Sequence, residues 1–413
     1  MMMQRSTGDA VARQTRLGSR GLVAFLVLTN MFIPLSTDMY LPALPAMQEN
    51  FQTTATLVNM TLSSFFFFYA LGILFWGPLS DRFGRRSILL AGSTLYVLAS
   101  LSCALAPGVQ VMILARSLQG IGAGAITATA MAIVKDCYAG KKRLRILALV
   151  QSMAGLAPML APMLGALILR FSDWRSTFLV LSGLGCLCLV LTLLYRDTLP
   201  EEERVHGALA VSYSRMFAVA RNRGFLATAL IFACTSMAFM GYIANSSYIY
   251  VSSFGLSEQS YSYFFAANAC LSLVAPWLYV RLLADRPKRG VAHGLFAVAF
   301  VAGLLVVLLG RRSPWLFLFC FMPFSLVNTM TRPFATNILL DQVKGDSGSA
   351  SALINATFTV MGSIGMVLVG AGSGSLAAAL GSWIVGLATL QTVAWLLLMR
   401  SRLPLYGVKD VAA

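Results

Sequence analysis

Residues 77–86 read GPLSDRFGRR, a ten-residue stretch carrying four charged side chains, Asp81, Arg82, Arg85 and Arg86, between two long apolar runs. Over the whole 413-residue chain only 11% of residues are charged and 58% are hydrophobic, and the mean hydropathy is +0.77. A soluble domain carries about a quarter charged residues to cover its surface. This composition belongs to a membrane protein, and the charged stretch to a loop between two membrane helices.

Outward from that loop, apolar segments of about 20 residues, the helix length that crosses a hydrocarbon core of about 30 Å, fall at 21–44, 57–76, 88–106, 110–134, 146–169, 176–195, 224–251, 260–280, 291–309, 314–339, 351–372 and 382–399. Twelve helices are predicted. Pro42 and Pro45 are expected to close the first span, and a Gly/Ala-rich segment at 372–382 blurs the end of the eleventh. The basic N-terminus followed by an apolar run resembles a secretory leader, but no small-residue cleavage site follows and eleven further spans do, so it reads as the first helix.

Lys and Arg accumulate in cytoplasmic loops. With the N-terminus inside, 25 of the 31 basic residues lie on the cytoplasmic side, beginning with Arg5, Arg13, Arg16 and Arg20. Four lie outside, Arg170, Arg175, Arg311 and Arg312, and Arg116 and Arg332 fall within spans. Both termini are therefore expected in the cytoplasm. The net charge of +16 is then a topological signature plus attraction to anionic lipid, and no soluble basic domain exists to bind nucleic acid. Six of the seven cysteines lie in spans and Cys137 in a cytoplasmic loop, which suggests neither a disulfide nor a metal framework. His206 and His293 lie in or beside cytoplasmic loops, placed neither as ligands nor as acid–base groups. The sequence contains no Gly-rich phosphate loop, so a transport process here would draw on an ion gradient, with no cofactor.

The longest polar interruption, 196–223, divides the spans six and six. The expected organisation is a tail at 1–20, a bundle at 21–195, a linker at 196–223, a second bundle at 224–399 and a tail at 400–413. Within the linker Glu201 to Glu203 read as solvated and Met216 to Ala220 as an interfacial helix. The second half echoes the opening loop: Leu283-Ala284-Asp285-Arg286 repeats Leu79-Ser80-Asp81-Arg82 at an offset of 204, without the glycines.

Three stretches carry a family resemblance. Gly77 to Arg86 resembles the loop 2–3 signature of the major facilitator superfamily. LARSLQGIGAG, Leu114 to Gly124, resembles its fourth-helix motif with a buried arginine. GLAPMLAPMLGA, Gly155 to Ala166, resembles the fifth-helix motif of the antiporter branch through Gly155, Pro158, Pro162 and Gly165. STDMYLPALP in the first helix and KDCY at 135–138 are most similar to the Bcr/CflA-type drug:proton antiporters. The resemblance implies an all-α integral membrane protein of the inner membrane, with twelve transmembrane helices in two pseudo-symmetric six-helix bundles. It also implies a monomer that moves a small hydrophobic substrate against protons within membrane lipid.

In the loop, Gly77 and Gly84 permit tight turns, Asp81 can accept from free N–H groups at a helix N-terminus, and the arginines can pair with carboxylates at other helix ends. The family places Asp81 against the eleventh helix and joins the arginines to an acid that here is Asp136, a latch favouring the outward-open state. Positive-inside topology alone would account for Arg82, Arg85 and Arg86 but not for Asp81 or the glycines.

Asp38 is the one acid lying well inside a predicted span. An intramembrane carboxylate costs roughly 2.5–3.5 kcal/mol on insertion scales, so it is functional by default, here as a group that takes up and releases a proton; the alternative is a cap near the outer interface. Counting about 1.5 Å per residue, Asp38 and Arg116 each lie about 9 Å from the outer ends of their helices. Arg116 stays protonated, so it either pairs with Asp38 or braces the half by bonding Gln119 or Asn59. Asn30 stands where some related antiporters carry a second acid, and Ala161 and Ala166 replace glycines of the antiporter motif. Arg332 is expected to meet either an anionic substrate group or Asp341. Asn30, Tyr69, Tyr242, Asn245, Tyr248, Phe265, Asn268 and Arg332 are the residues suited to a large, mainly apolar substrate pocket. The expected function is proton-coupled efflux of drug-like or antibiotic molecules. Export of an endogenous metabolite or siderophore is the alternative, and an enzyme is remote because no nucleophile–base pair or metal cluster lies in the spans.

Overall fold

The computed structural model describes residues 17–204, 209–343, 347–370 and 375–409; Arg5, Arg13, Arg16, His206, Lys344 and the segment 371–374 lie outside them. Among the described residues twelve helical segments are long and apolar enough to cross a membrane, one at each predicted span. The helices are α1 (Gly18–Asp38), α2 (Leu44–Asn50), α3 (Ala55–Phe83), α4 (Arg85–Ala104), α5 (Val109–Cys137), α6 (Gly140–Phe171), α7 (Trp174–Leu194), α8 (Leu209–Ala220), α9 (Arg223–Ser247), α10 (Glu258–Leu282), α11 (Lys288–Leu309), α12 (Pro314–Asp341), α13 (Ser347–Gly370) and α14 (Leu376–Arg400). A π-helical turn, Tyr248–Ser253, continues α9.

The first helix stops sooner than its prolines predict. α1 ends at Asp38, and a 3₁₀ turn, Leu41–Ala43, leads into α2. Two effects weaken the last turns of α1. Pro34 lies inside it and removes one backbone donor. The Ser36 and Thr37 hydroxyls then bond back to the Phe32 and Ile33 carbonyls, competing with the helix for those acceptors. Pro42 and Pro45 act later, in the turn and in the first turn of α2.

Packing sorts the chain into two compact units. Met1–Tyr40 joins Phe67–Ser212 in one, and Leu41–Phe66 joins Tyr213–Ala413 in the other. Polar contacts within the second unit reach segment 41–66. The Tyr248 hydroxyl donates to the Leu44 carbonyl at 3.3 Å, the Ser63 hydroxyl to the Ser363 carbonyl at 2.7 Å, and the Asn59 amide to Asn245 Oδ1 at 3.0 Å.

Within the first unit α4 packs on α5 and α7, and α1 on α6; within the second α9 packs on α13, and α11 on α12 and α14. The two units repeat each other in detail. A Cβ on Gly165 of α6 would lie 1.7 Å from the Met39 carbonyl oxygen just past α1, and a Cβ on Gly365 of α13 would lie 2.1 Å from the Met237 carbonyl oxygen of α9. Only glycine permits either approach. Arg85 pairs with Asp136 at 2.9 Å, and Lys288 with Asp341 at 2.8 Å. The sequence echo at 79–82 and 283–286 therefore has a counterpart in helix packing and in ion pairing.

Candidate functional site

Asp38 is the last residue of α1 and 5% exposed. Among the described residues it is the one buried carboxylic acid. Its Oδ1 lies 3.0 Å from the Thr37 hydroxyl, whose single proton it shares with the Ile33 carbonyl at 2.9 Å, and no described cation forms an ion pair with it. A buried carboxylate needs a charge partner or several donors to stay ionised, and one hydroxyl supplies neither.

Arg116, in α5, is fully buried. Its Nη1 donates to the Ser36 carbonyl at 3.0 Å and to Gln119 Oε1. The guanidinium lies over the Tyr40 ring, 4.7 Å from the centroid, and 5.8 Å from that of Phe178. Gln119 in turn donates to the Ser100 hydroxyl at 2.7 Å, and the Ser36 and Tyr96 hydroxyls share a hydrogen bond of 2.6 Å. Arg116 thus grips the chain two residues before Asp38 and two residues after it without touching the carboxylate. The equal depth of the two side chains does not make them an ion pair here. Of the two bracing partners expected, Gln119 serves, and Asn59 bonds Asn245. Tyr96 and Phe178 were not apparent from sequence, since aromatic side chains are common in every span; Ser36 and Tyr40 lie in the STDMYLPALP stretch, where no contact with Arg116 was expected.

In the charged loop Arg85 is the hub. Its side chain is 6% exposed, and it bonds Asp136 through Nε at 2.9 Å and Asp81 and Ser80 through Nη1 at 2.5 and 2.7 Å. Asp81, whose side chain is 49% exposed, finds its partner on its own unit, one turn along the chain. Arg86 donates through Nη2 to the Leu193 carbonyl at 2.9 Å, and Arg82 lies over Phe83. The turn is made at Gly84, with φ +89°. Gly77 makes no turn: it lies within α3, and a Cβ there would meet nothing within 4 Å.

Asp197, at the start of the linker, was missed by sequence reasoning. Its carboxylate accepts from the backbone N–H groups of Arg85 and Arg86 at 3.2 and 3.3 Å, capping the N-terminus of α4 from outside the helix. Arg204 lies 3.7 Å from the same carboxylate. A Cβ on Gly84 would stand 2.3 Å from Asp197 Oδ2. The signal was available in principle, an acid two residues past a span end, but that spacing is too common to single out.

Within the antiporter motif Gly155, Pro158, Pro162 and Gly165 all lie in α6, which runs unbroken past both prolines. Gly165 brings α6 onto the backbone next to Asp38. The expected pocket residues fall in both units. Asn30 and Tyr69 belong to the first, where Asn30 donates back to the Leu26 carbonyl at 2.8 Å. In the second, Tyr242 stacks between Phe321 and Phe265 at centroid distances of 4.0 and 6.1 Å, and Asn268 accepts from the Ser325 hydroxyl at 2.7 Å. Tyr242, Asn245, Tyr248, Phe265 and Asn268 are all buried. Arg332 is exposed, its guanidinium 5.7 Å from the centre of the Phe358 ring, while Asp341, its expected partner, pairs with Lys288. Among the described residues no cluster of His, Cys, Asp and Glu is placed to hold a metal ion.

Twelve spans, two repeated units, a charged loop after the second span and a buried arginine in the fourth define a secondary transporter. The Major Facilitator Superfamily matches residues 26–366, and the chain belongs to that family of membrane transporters. It is similar to the MFS-type transporter YdgK of Bacillus subtilis (strain 168), 30% identical over 82% of this chain and 85% of that one. It is also similar to the multidrug resistance protein MdtL of Klebsiella pneumoniae (strain 342), 30% identical over 68% of this chain and 72% of that one. Among solved structures, a D-xylose-proton symporter shares the fold with a TM-score of 0.72 and 15% identity, over 94% of this chain and 98% of the other. The protein is a multi-pass protein of the inner membrane.

Proposed function

We propose that this transporter exports apolar, drug-sized molecules in exchange for protons, with both termini in the cytoplasm, and that Asp38 carries the proton. One observation supports the coupling: the single buried carboxylic acid among the described residues has one hydroxyl donor and no cation. Such a group changes protonation when its surroundings are rewetted or a charge approaches. Arg116 is a positioning residue that fixes Ser36 and Tyr40, and through them the segment bearing Asp38. Arg85, with Asp81, Asp136 and Asp197, forms the latch at the charged loop. The likeness to a multidrug resistance protein supports a drug-like substrate, and the shortage of buried acids fits one that is not strongly cationic.

The test is counterflow in proteoliposomes: an imposed inward proton gradient drives accumulation of a fluorescent hydrophobic drug on the opposite side, and drug added to energised vesicles releases protons. Drug movement indifferent to the proton gradient overturns the coupling. A susceptibility panel in an efflux-deficient bacterial host then ranks the substrates.

A further inference from the structure

The second unit holds a cavity of about 530 Å³ between the 283–287 turn, the first half of α11 and the middle of α12. Its wall is apolar, with Val291, Leu295 and Val298 on one side and Pro323, Val327 and Met330 on the other. The volume lies in the range of ligand sites, far above the roughly 30 Å³ share of one water. The trough exists because residues 290 and 294, one turn apart on α11, are glycines whose Cβ positions would meet nothing within 4 Å. Arg286, Gly290, Gly294 and Val298 recur at helical spacing and are exposed. The exposed surface of α11 continues in Val301 and Leu308, an apolar face suited to acyl chains and not to water.

The mouth of this trough is basic. Among the described residues neither Arg286 nor Arg289 has an ion-pair partner, and the neighbouring Asp285 takes neither. Lys288 is committed to Asp341. α11, a helix of 22 residues, begins here with no side-chain cap, so its first N–H groups and the positive end of its dipole add to the field. In the first unit the corresponding helix end is capped by Asp197; in the second no described side chain caps it.

We propose that this cleft binds one anionic phospholipid, an acyl chain filling the glycine trough and the phosphate resting on Arg286 and the first N–H groups of α11. A zwitterionic head group would bring its own ammonium against Arg286, which lines the cavity, so the site discriminates by net head-group charge. One arginine near a membrane surface contributes about 1 kcal/mol toward an anionic lipid, a preference of about fivefold.

The full-length protein, purified in mild detergent with phosphatidylglycerol and phosphatidylethanolamine in equal amounts, is read by native mass spectrometry for retained lipid. The wild type is expected to keep phosphatidylglycerol about fivefold over phosphatidylethanolamine. Arg286→Gln should lose that preference, and Gly294→Leu, which fills the trough, should lose the adduct with either lipid. Gly290→Leu serves where Gly294→Leu does not elute as a folded monodisperse species. Equal retention of both lipids by wild type and variants overturns the proposal, leaving only a non-selective lipid shell. So does a phosphatidylglycerol preference that Gly294→Leu and Gly290→Leu both keep in full, since that describes a phosphate site without an acyl chain.

Discussion

A Cβ on Gly165 would lie 1.7 Å from the carbonyl oxygen of Met39, where carbon and oxygen in non-bonded contact need well over 3 Å. The fifth-span motif therefore has a local meaning: its glycine seats α6 on the backbone one residue beyond Asp38. Gly165→Ala should push α6 and the end of α1 apart, at a cost of about 1–3 kcal/mol or more. Thermal unfolding in detergent should show the loss and proteoliposome transport should fall with it. A variant of wild-type stability and rate would mean that α6 is free to withdraw from Met39.

Asp38→Asn should abolish proton-driven export while the protein remains folded in the membrane at wild-type levels, because the amide keeps the shape and the Thr37 contact but cannot exchange a proton. Drug resistance conferred by this variant, with its membrane level checked by immunoblot, is the measurement. Undiminished resistance removes Asp38 from the coupling.

Arg116→Ala should be more damaging than Arg116→Lys. Alanine leaves the Ser36 carbonyl and Gln119 without their buried donor, about 1–3 kcal/mol for each unsatisfied group; lysine keeps the charge and one donor but not the flat guanidinium over Tyr40. Transport rate and thermal stability should fall together in both, in that order. A fall in proton coupling alone, at full stability, would point instead to direct contact with Asp38 during the cycle.

The fold was legible because a membrane helix announces itself by length and hydropathy, and all twelve spans and the internal repeat could be expected from residues alone, while the Arg85–Asp136 pair was implied by the family resemblance. Other features depend on approach between distant segments. That Asp197 caps α4, that Arg116 holds Ser36 and not Asp38, and that Asn59 belongs with Asn245 follow from packing, which no local spacing encodes. Gly77 misled for a related reason. A glycine beside a proline reads as a turn, yet the helix runs through it and turns seven residues later, where Gly84 alone has the positive φ.

Asp197→Ala should cost about 0.5–2 kcal/mol through loss of the cap on α4, with Asp197→Asn in between because its amide oxygen still accepts. Gly84→Ala should cost more, since it strains a φ of +89° and collides with the same carboxylate. In the double variant the tightest collision is gone and only Arg204, 2.9 Å from the same Cβ position, must shift, so the two losses should sum to more than is observed. Additive losses in thermal unfolding would mean that Asp197 moves aside freely.

One proton inward for one neutral molecule outward moves one net charge, so the membrane potential should contribute about 2.3 kcal/mol per 100 mV, a concentration ratio of about fiftyfold. A monovalent cation crosses in electrical balance, and a dication should scarcely move. Vesicles with an imposed potential, compared with vesicles without one, measure this for a neutral and a dicationic substrate. Vigorous, potential-independent export of the dication would require a second proton.

The space around Gly84 also binds two distant positions into one unit of inheritance. Any side chain at 84 displaces the carboxylate at 197, and in a chain lacking that carboxylate only the flexible Arg204 side chain, 2.9 Å from the same Cβ position, still needs to yield. Substitutions at the two sites should therefore be acquired in order, the acid first and the glycine second. A lineage that has lost the acid should tolerate asparagine at 84, a residue that accepts positive φ, where one that retains it cannot.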